Sequence, residues 1–305
     1  MYEMPKESMQ GLSNYEITIL RTIIQTISFL LIFGGALGLA HTFIVLPIMA
    51  PAGNPYTTVM GAWQLFELMV TAAIFPFLAL AIILIASITV GRFFCGWVCP
   101  FGFISDVVSY VGKKKRVSFK INDNLYEFAL FIAILFLFID FSIGYRQAIG
   151  ASIYNYFGSF AREPFSIIDP TSTLFSMLFW YFYLEKYPKS FGDLVYLIEY
   201  PYAFWLRIVL LFLAILLNLY IPRWWCRWIC PLGAIKGVGS RYKLIKVWID
   251  GKRCIGEKCA LCEKACPMGV PILRYKDTGH IAHPLCISCL RCAEVCPYRA
   301  IKVKV

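Results

Sequence analysis

Two cysteine runs near the end of the chain restrict its fold more than any other feature. The first, CIGEKCALCEKACP, carries Cys254, Cys259, Cys262 and Cys266, and the second, CISCLRCAEVCP, carries Cys286, Cys289, Cys292 and Cys296. Each is a three-cysteine cradle followed, after three intervening residues, by Cys-Pro. A short loop of this kind wraps three irons of a cubane while the remote Cys-Pro ligates the other cluster, so the two halves bind crosswise. The expected ligand sets are Cys254, Cys259, Cys262 and Cys296 for one 4Fe–4S cluster, and Cys286, Cys289, Cys292 and Cys266 for the second. Four residues separate Cys254 from Cys259 where two are usual, which bulges the loop at Cys254. Zinc also accepts CxxC pairs, but two tandem copies ending in Cys-Pro favour clusters.

Residues 246–305 therefore read as an α+β, two-cluster bacterial-type ferredoxin domain. A module of this size builds little core of its own, and bound metal organises it. From Lys246 onwards there are eleven Lys and Arg against five Asp and Glu, an excess that offsets clusters formally at −2 and favours an anionic membrane face. All twelve cysteines of the chain fall in CxxxC, CxxC or CxxxxC groupings, which points to metal in a reducing compartment and away from disulfides.

The rest of the chain has a different solvent. With 59% hydrophobic residues, 15% charged and a mean hydropathy of +0.67 over 305 residues, it is too apolar for a water-soluble protein. Four stretches suit a hydrocarbon core, which takes about 20 residues: Thr22 to Ile48, Leu68 to Gly91, Phe128 to Ile143 and Tyr202 to Ile221. A fifth, Ser172 to Leu184, is short and reads as interfacial or re-entrant. The expected architecture is thus an α-helical membrane domain, 21–245, of about four transmembrane helices. A cytoplasmic segment, 1–20, precedes it, and the first span is a retained signal anchor. Lys113, Lys114, Lys115, Arg116 and Lys120 follow the second span, and Arg223, Arg227, Lys236, Arg241, Lys243 and Lys246 follow the fourth, whereas Pro47 to Glu67 has no Lys or Arg. Basic loops stay inside, so both termini are expected on the cytoplasmic side of a multi-pass inner-membrane protein. The net charge of +11 belongs to membrane lipid, since no nucleic-acid motif interleaves with it.

The membrane domain carries a repeat. RFFCGWVCPFGFI from Arg92 and RWWCRWICPLGAI from Arg223 agree at seven of their aligned positions: Arg, Cys, Trp, Cys, Pro, Gly and Ile. Each copy follows a span and precedes a basic segment, so the domain is two pseudo-repeat halves of like orientation. Brought together, Cys95, Cys99, Cys226 and Cys230 supply the ligand number for a third iron–sulfur cluster. They also read as redox thiols able to reduce copper, or as inert buried residues.

Two CxxxCP motifs after spanning helices, then a dicluster ferredoxin, resemble the NapH-type membrane quinol dehydrogenase/polyferredoxin family over nearly the whole chain. The resemblance implies an iron–sulfur electron-transfer subunit in the cytoplasmic membrane, linking quinone or quinol to other redox subunits of a respiratory complex. The alternatives are a copper-reducing or metalloenzyme assembly factor and a non-catalytic membrane anchor. Ionisable groups in or beside spans are where a quinone site is sought: Glu67, Asp140 and Arg207, with Arg92 and Arg223 beside the thiols. Three histidines, His41, His280 and His283, are too few and too scattered for a haem built between helices. The segment Tyr145 to Pro201 is expected on the outer face.

Overall fold

The computed structural model describes residues 16–32, 44–51, 59–112, 117–151, 153, 161–177 and 202–304. It is mostly helical, with a small ferredoxin module at its C-terminal end. In chain order the elements are α1 (Glu16–Ile32), β1 (Ile44–Leu46), β2 (Val59–Gly61), α2 (Ala62–Thr71), α3 (Phe77–Thr89), α4 (Phe93–Trp97), α5 (Pro100–Val111) and α6 (Phe119–Ala148). A tight segment, 164–177, precedes α7 (Tyr202–Tyr220), α8 (Trp224–Trp228) and α9 (Pro231–Gly239). The module follows with β3 (Lys246–Ile249), α10 (Leu261–Ala265), α11 (Arg291–Glu294) and β4 (Ile301–Lys304).

The expected spans and the observed helices differ in places. The first apolar stretch is helical only as α1 before residues 33–43, which lie outside the described residues together with His41. Beyond them Ile44–Leu46 is extended and pairs in parallel with Val59–Gly61, as β-branched residues ahead of Pro47 favour. The second stretch is broken into α2 and α3 at residues 72–76, where Ala73 has a positive φ and Pro76 precedes the first turn of α3. Among the described residues, α6, 30 residues long with an apolar stretch of mean hydropathy 2.3, is the one helix long and apolar enough to cross a membrane; α3 and most of α7 are shorter apolar helices. At about 1.5 Å per residue α6 reaches well beyond a hydrocarbon core. Of the fifth run, residues 172–177 are helical, and the remainder, with most of 145–201 and the Lys113–Arg116 cluster, lies outside the described residues.

The two repeats, α3–α4–α5 and α7–α8–α9, pack reciprocally: α5 lies on α7 and α9 on α3. Close approach marks both crossings, at Gly112 against the Leu219 backbone and at Gly239 against Ser87. The polarity of the bundle is inverted. Ile23, Leu30, Ile85, Phe131, Phe138 and Phe212 are half or more exposed, whereas Arg21, Gln64, Glu67, Arg92, Asp140 and Arg223 are buried. Four of the six cations after the fourth stretch, Arg223, Arg227, Lys236 and Lys243, are also buried, so they serve the interior and not the surface that a loop-charge count presumes.

The module closes with β3 and β4 pairing antiparallel, Lys246 opposite Lys304, around the cysteine loops. It is clamped to the bundle from several sides. Asn122 donates to the carbonyls of Met268 and Gly269 at 2.9 and 3.1 Å, and Trp97 Nε1 donates to Ser288 O at 3.0 Å. His283 Nε2 pairs with Asp123 at 3.0 Å, while Glu294 accepts from Thr18 N–H and Oγ1–H at the start of α1.

Candidate metal centres

The CxxxCP motifs take the same local shape for the same reason. The first cysteine of each sits in a one-turn helix, α4 or α8; the second precedes proline, which keeps it extended and starts the next helix at its first position. Each helix turn is then locked by the other repeat. Arg92 Nη2 donates to the carbonyl of Cys226, and Arg223 Nη1 donates to the carbonyl of Cys95 at 2.6 Å. The glycines two residues after the prolines accept these guanidinium groups: a Cβ on Gly102 would stand 3.4 Å from Nη1 and Nη2 of Arg223, and one on Gly233 would overlap Arg92 Nη2. The Arg, Cys and Gly shared by the two segments thus form one interlocked device, and its symmetry brings all four thiols to one place.

Cys95, Cys99, Cys226 and Cys230 line a single small cavity, walled by Met49, Phe101, Trp225 and Leu232 with Arg92 and Thr171. All four are 6–7% exposed. The ferredoxin module holds two comparable cavities. One is lined by Cys254, Cys259, Cys262 and Cys296; the other by Cys266, Cys286, Cys289 and Cys292. In both, three cysteines of one run meet the Cys-Pro of the other. Among the described residues no three His, Cys, Asp or Glu groups converge tightly enough for a single metal ion, whereas four thiols spaced around an apolar chamber suit a cluster.

Hydrogen bonding and charge agree with an anionic guest. Backbone N–H groups approach the sulfurs: Gly256 to Cys254, Val270 to Cys266 and Ala300 to Cys296 at 3.4 Å each, and Gly233 to Cys230 at 3.3 Å. Lys243, fully buried, donates to Ser288 Oγ at 3.0 Å with Cys286 Sγ 3.9 Å away. Buried Lys236 donates to Pro47 O at 3.0 Å and faces Phe94. Buried cations are costly unless compensated. Burial works to raise the Cys95 thiol, but Lys236, Arg92 and Arg223 outweigh it and hold it below the ordinary value. Cys99 and Cys226, where burial prevails, are pushed up to about 11 and 12.

These positions coincide with sequence similarity to known proteins. A 4Fe-4S binding domain family matches residues 72–118 and again 203–253, one match on each repeat, and a 4Fe-4S dicluster domain family matches 253–301. The ferredoxin-type protein NapH of Haemophilus influenzae is 25% identical over 232 residues, 73% of this chain and 66% of the relative. The chain is similar to the NapH-type polyferredoxins in both its repeated motif and its C-terminal module. The putative electron transport protein YccM of Escherichia coli is 24% identical over 220 residues, covering 72% of this chain and 53% of YccM. The regulatory protein NosR of Stutzerimonas stutzeri is 25% identical over 203 residues, 65% of this chain but 22% of NosR. The chain thus spans about half of YccM and less than a quarter of NosR. No solved structure matches significantly. Its matches to 4Fe-4S binding domains mark the chain as an iron–sulfur protein, similar to proteins named for electron transport.

The remaining sequence candidates scatter. Arg92 and Arg223 are committed to the cysteine carbonyls. Glu67, Asp140 and Arg207 lie away from the thiols, on the stretches of α2, α6 and α7 that pack near 164–169: Glu67 accepts from Phe165 N–H at 3.0 Å and Arg207 donates to Ser166 Oγ at 2.9 Å. Both Asp140 oxygens are buried with no partner among the described residues. The sequence reading missed Lys236, Lys243, Arg21 and Asp106. Asp106 pairs with Arg223 at 2.9 and 2.8 Å and with Arg21 at 3.3 Å, and these cations hold its carboxyl far below the usual range against the opposing effect of burial. Position 106 offers one signal, an acid inside an apolar stretch.

Proposed function

We propose that this chain is a membrane-embedded electron conduit holding three 4Fe–4S clusters, which exchanges electrons between the quinone pool and a partner redox protein. The observation that carries the reading is the set of three four-cysteine chambers, one inside the helical bundle and two in the module seated on it. Gly96 and Trp97, inside the first CxxxCP motif, touch Ile287 and Ser288 beside Cys286 and Cys289, so the bundle chamber adjoins one module chamber directly. The clusters supply one-electron chemistry; a quinol becoming a quinone gives up two electrons and two protons, and the partner is the final acceptor or donor. The chain's own part is to hold the sulfurs, exclude water from the inner chamber and balance charge with Arg92, Arg223, Lys236 and Lys243.

The inverted polarity of the bundle supports placing α1, the α2–α3 pair, α6 and α7 in the membrane; an even number of crossings puts the module on the same side as the start of α1, which we read as cytoplasmic. Copper reduction requires thiols that an ion can reach, and the enclosure of these four favours a resident centre. A passive anchor gives no account of buried cations around a thiol chamber. The test is iron and acid-labile sulfide per chain in protein purified anaerobically, with reduction by a quinol analogue monitored in the presence of partners. About twelve irons support three clusters and about eight only two; no cluster reduction by any quinol sinks the quinone link.

A further inference from the structure

A groove between α1 and α5 is used by none of the three centres. Its volume is about 730 Å³. The walls are apolar: Ile19 and Ile23 from α1 face Val107, Tyr110 and Val111 from α5, all half or more exposed. The floor is polar and buried, formed by Arg21, Gln25 and Asp106. Arg21 is 1% exposed, and its Nε and Nη1 have no partner among the described residues. A buried guanidinium with donors unmet is costly, and the groove is where an acceptor can enter. Its ligand must therefore bring a hydrogen-bond acceptor at the tip and an apolar body behind it.

The floor is wired to two of the chambers through backbone. Gln25 Nε2 donates to Gly96 O at 2.9 Å, next to Cys95, and Arg223, which holds Asp106, also holds the Cys95 carbonyl. Arg291 lines the groove between Leu290 and Cys292, both of which line a module chamber. We infer that this groove is the headgroup site for a membrane quinone, with a ring oxygen accepting from Arg21 and the tail leaving past Ile19, Ile23 and Val107 into lipid. The inference rests on the quinone-linked reading above and assigns it a place. A phospholipid headgroup also offers acceptor oxygens, and Arg21 and Arg291 would suit its phosphate as well, so the experiment includes an anionic-lipid arm that separates the two sources.

The test uses the full chain with its clusters in zwitterionic lipid nanodiscs and a photoreactive short-tailed azidoquinone, its attachment sites mapped by peptide mass spectrometry. Saturable labelling is expected on α1 and α5. Val107→Trp and Ile23→Trp, which fill the groove from its exposed walls and spare the buried ion pairs, should each lower labelling at least tenfold with cluster spectra unchanged; Arg21→Gln should weaken it comparably. Saturable labelling near Glu67, Asp140 or Arg207 instead overturns the groove assignment and leaves the quinone link standing. Labelling abolished by an equal share of phosphatidylglycerol makes the groove a lipid site and also overturns it. Absence of saturable labelling anywhere, together with no cluster reduction by quinol, removes both readings.

Discussion

Gly233→Ala tests the reciprocal arginine clasp most sharply, because it adds one methyl group where the other repeat's guanidinium lies. The new Cβ would overlap Arg92 Nη2 and stand 3.3 Å from its Cζ. Arg92 cannot simply withdraw, since Nη2 donates to Cys226 O and Nη1 donates to Pro284 O at 3.3 Å. Overpacking costs about 1–3 kcal/mol, and losing a hydrogen bond from a charged donor about 1.5–3 kcal/mol. A joint cost of roughly 3 kcal/mol or more is over a hundredfold in the population of the intact chamber. The module's own cysteines are untouched. Iron per chain should therefore fall from about twelve to about eight, with the electron paramagnetic resonance of the two module clusters retained. A Gly233→Ala protein with its full iron complement and unaltered spectra would refute the clasp as what holds the inner chamber together.

Three further outcomes follow from the geometry. Asp106→Asn leaves the buried Arg21 and Arg223 without their shared counter-charge, a class of change that costs about 3–5 kcal/mol; the thermal midpoint in detergent should drop clearly, and an unchanged midpoint contradicts the pairing. Cys296→Ser should damage the same spectroscopic centre as Cys259→Ser, and Cys266→Ser the same centre as Cys289→Ser; a match within each cysteine run instead refutes the crosswise arrangement. His283 is held below its ordinary pKa of 6.5 by burial, which outweighs the pull of Asp123, and its Nδ1 accepts from Leu285 N–H at 3.2 Å. A depressed folded pKa means that stability is full above about 6.5 and is lost as pH falls through the folded value; wild type should lose more thermal stability than His283→Gln between pH 7.5 and 5.5, and parallel profiles would exclude the histidine.

What the sequence made legible, and what it hid, follows from the range of the forces involved. Cysteine spacing is local chemistry, so Cys254 to Cys296 could be sorted into two sets before any fold was known. The repeat was equally plain as identities, but the reason for its arginines and glycines was not, because Arg92 acts on Cys226 and Arg223 on Cys95 across the pseudo-symmetry. Hydropathy averages over a window and passed over the break at 72–76, where every neighbour is apolar and only Pro76 hints at an interruption. Charge counting read Lys236 and Lys243 as surface markers; both are buried cations beside sulfur. Arg21 and Asp106 lie in ordinary sequence, and only the packing of α1 on α5 makes them the floor of a groove.

The clasp also says something about how such a chain is put together. An isolated half would present an arginine with no carbonyl to hold and a glycine seat with no arginine to fill it. Two copies of one half related by a two-fold axis would satisfy both needs at once, as an isologous interface does. The bundle is in this sense a tethered symmetric dimer, and tethering lets the halves diverge without losing their partner. Lys236 stands where the first copy has Ser105, and Asp106 where the second has Gly237. Broken symmetry of this kind sets a buried lysine near the shared thiols in one copy and, in the other, a carboxylate at the floor of a groove.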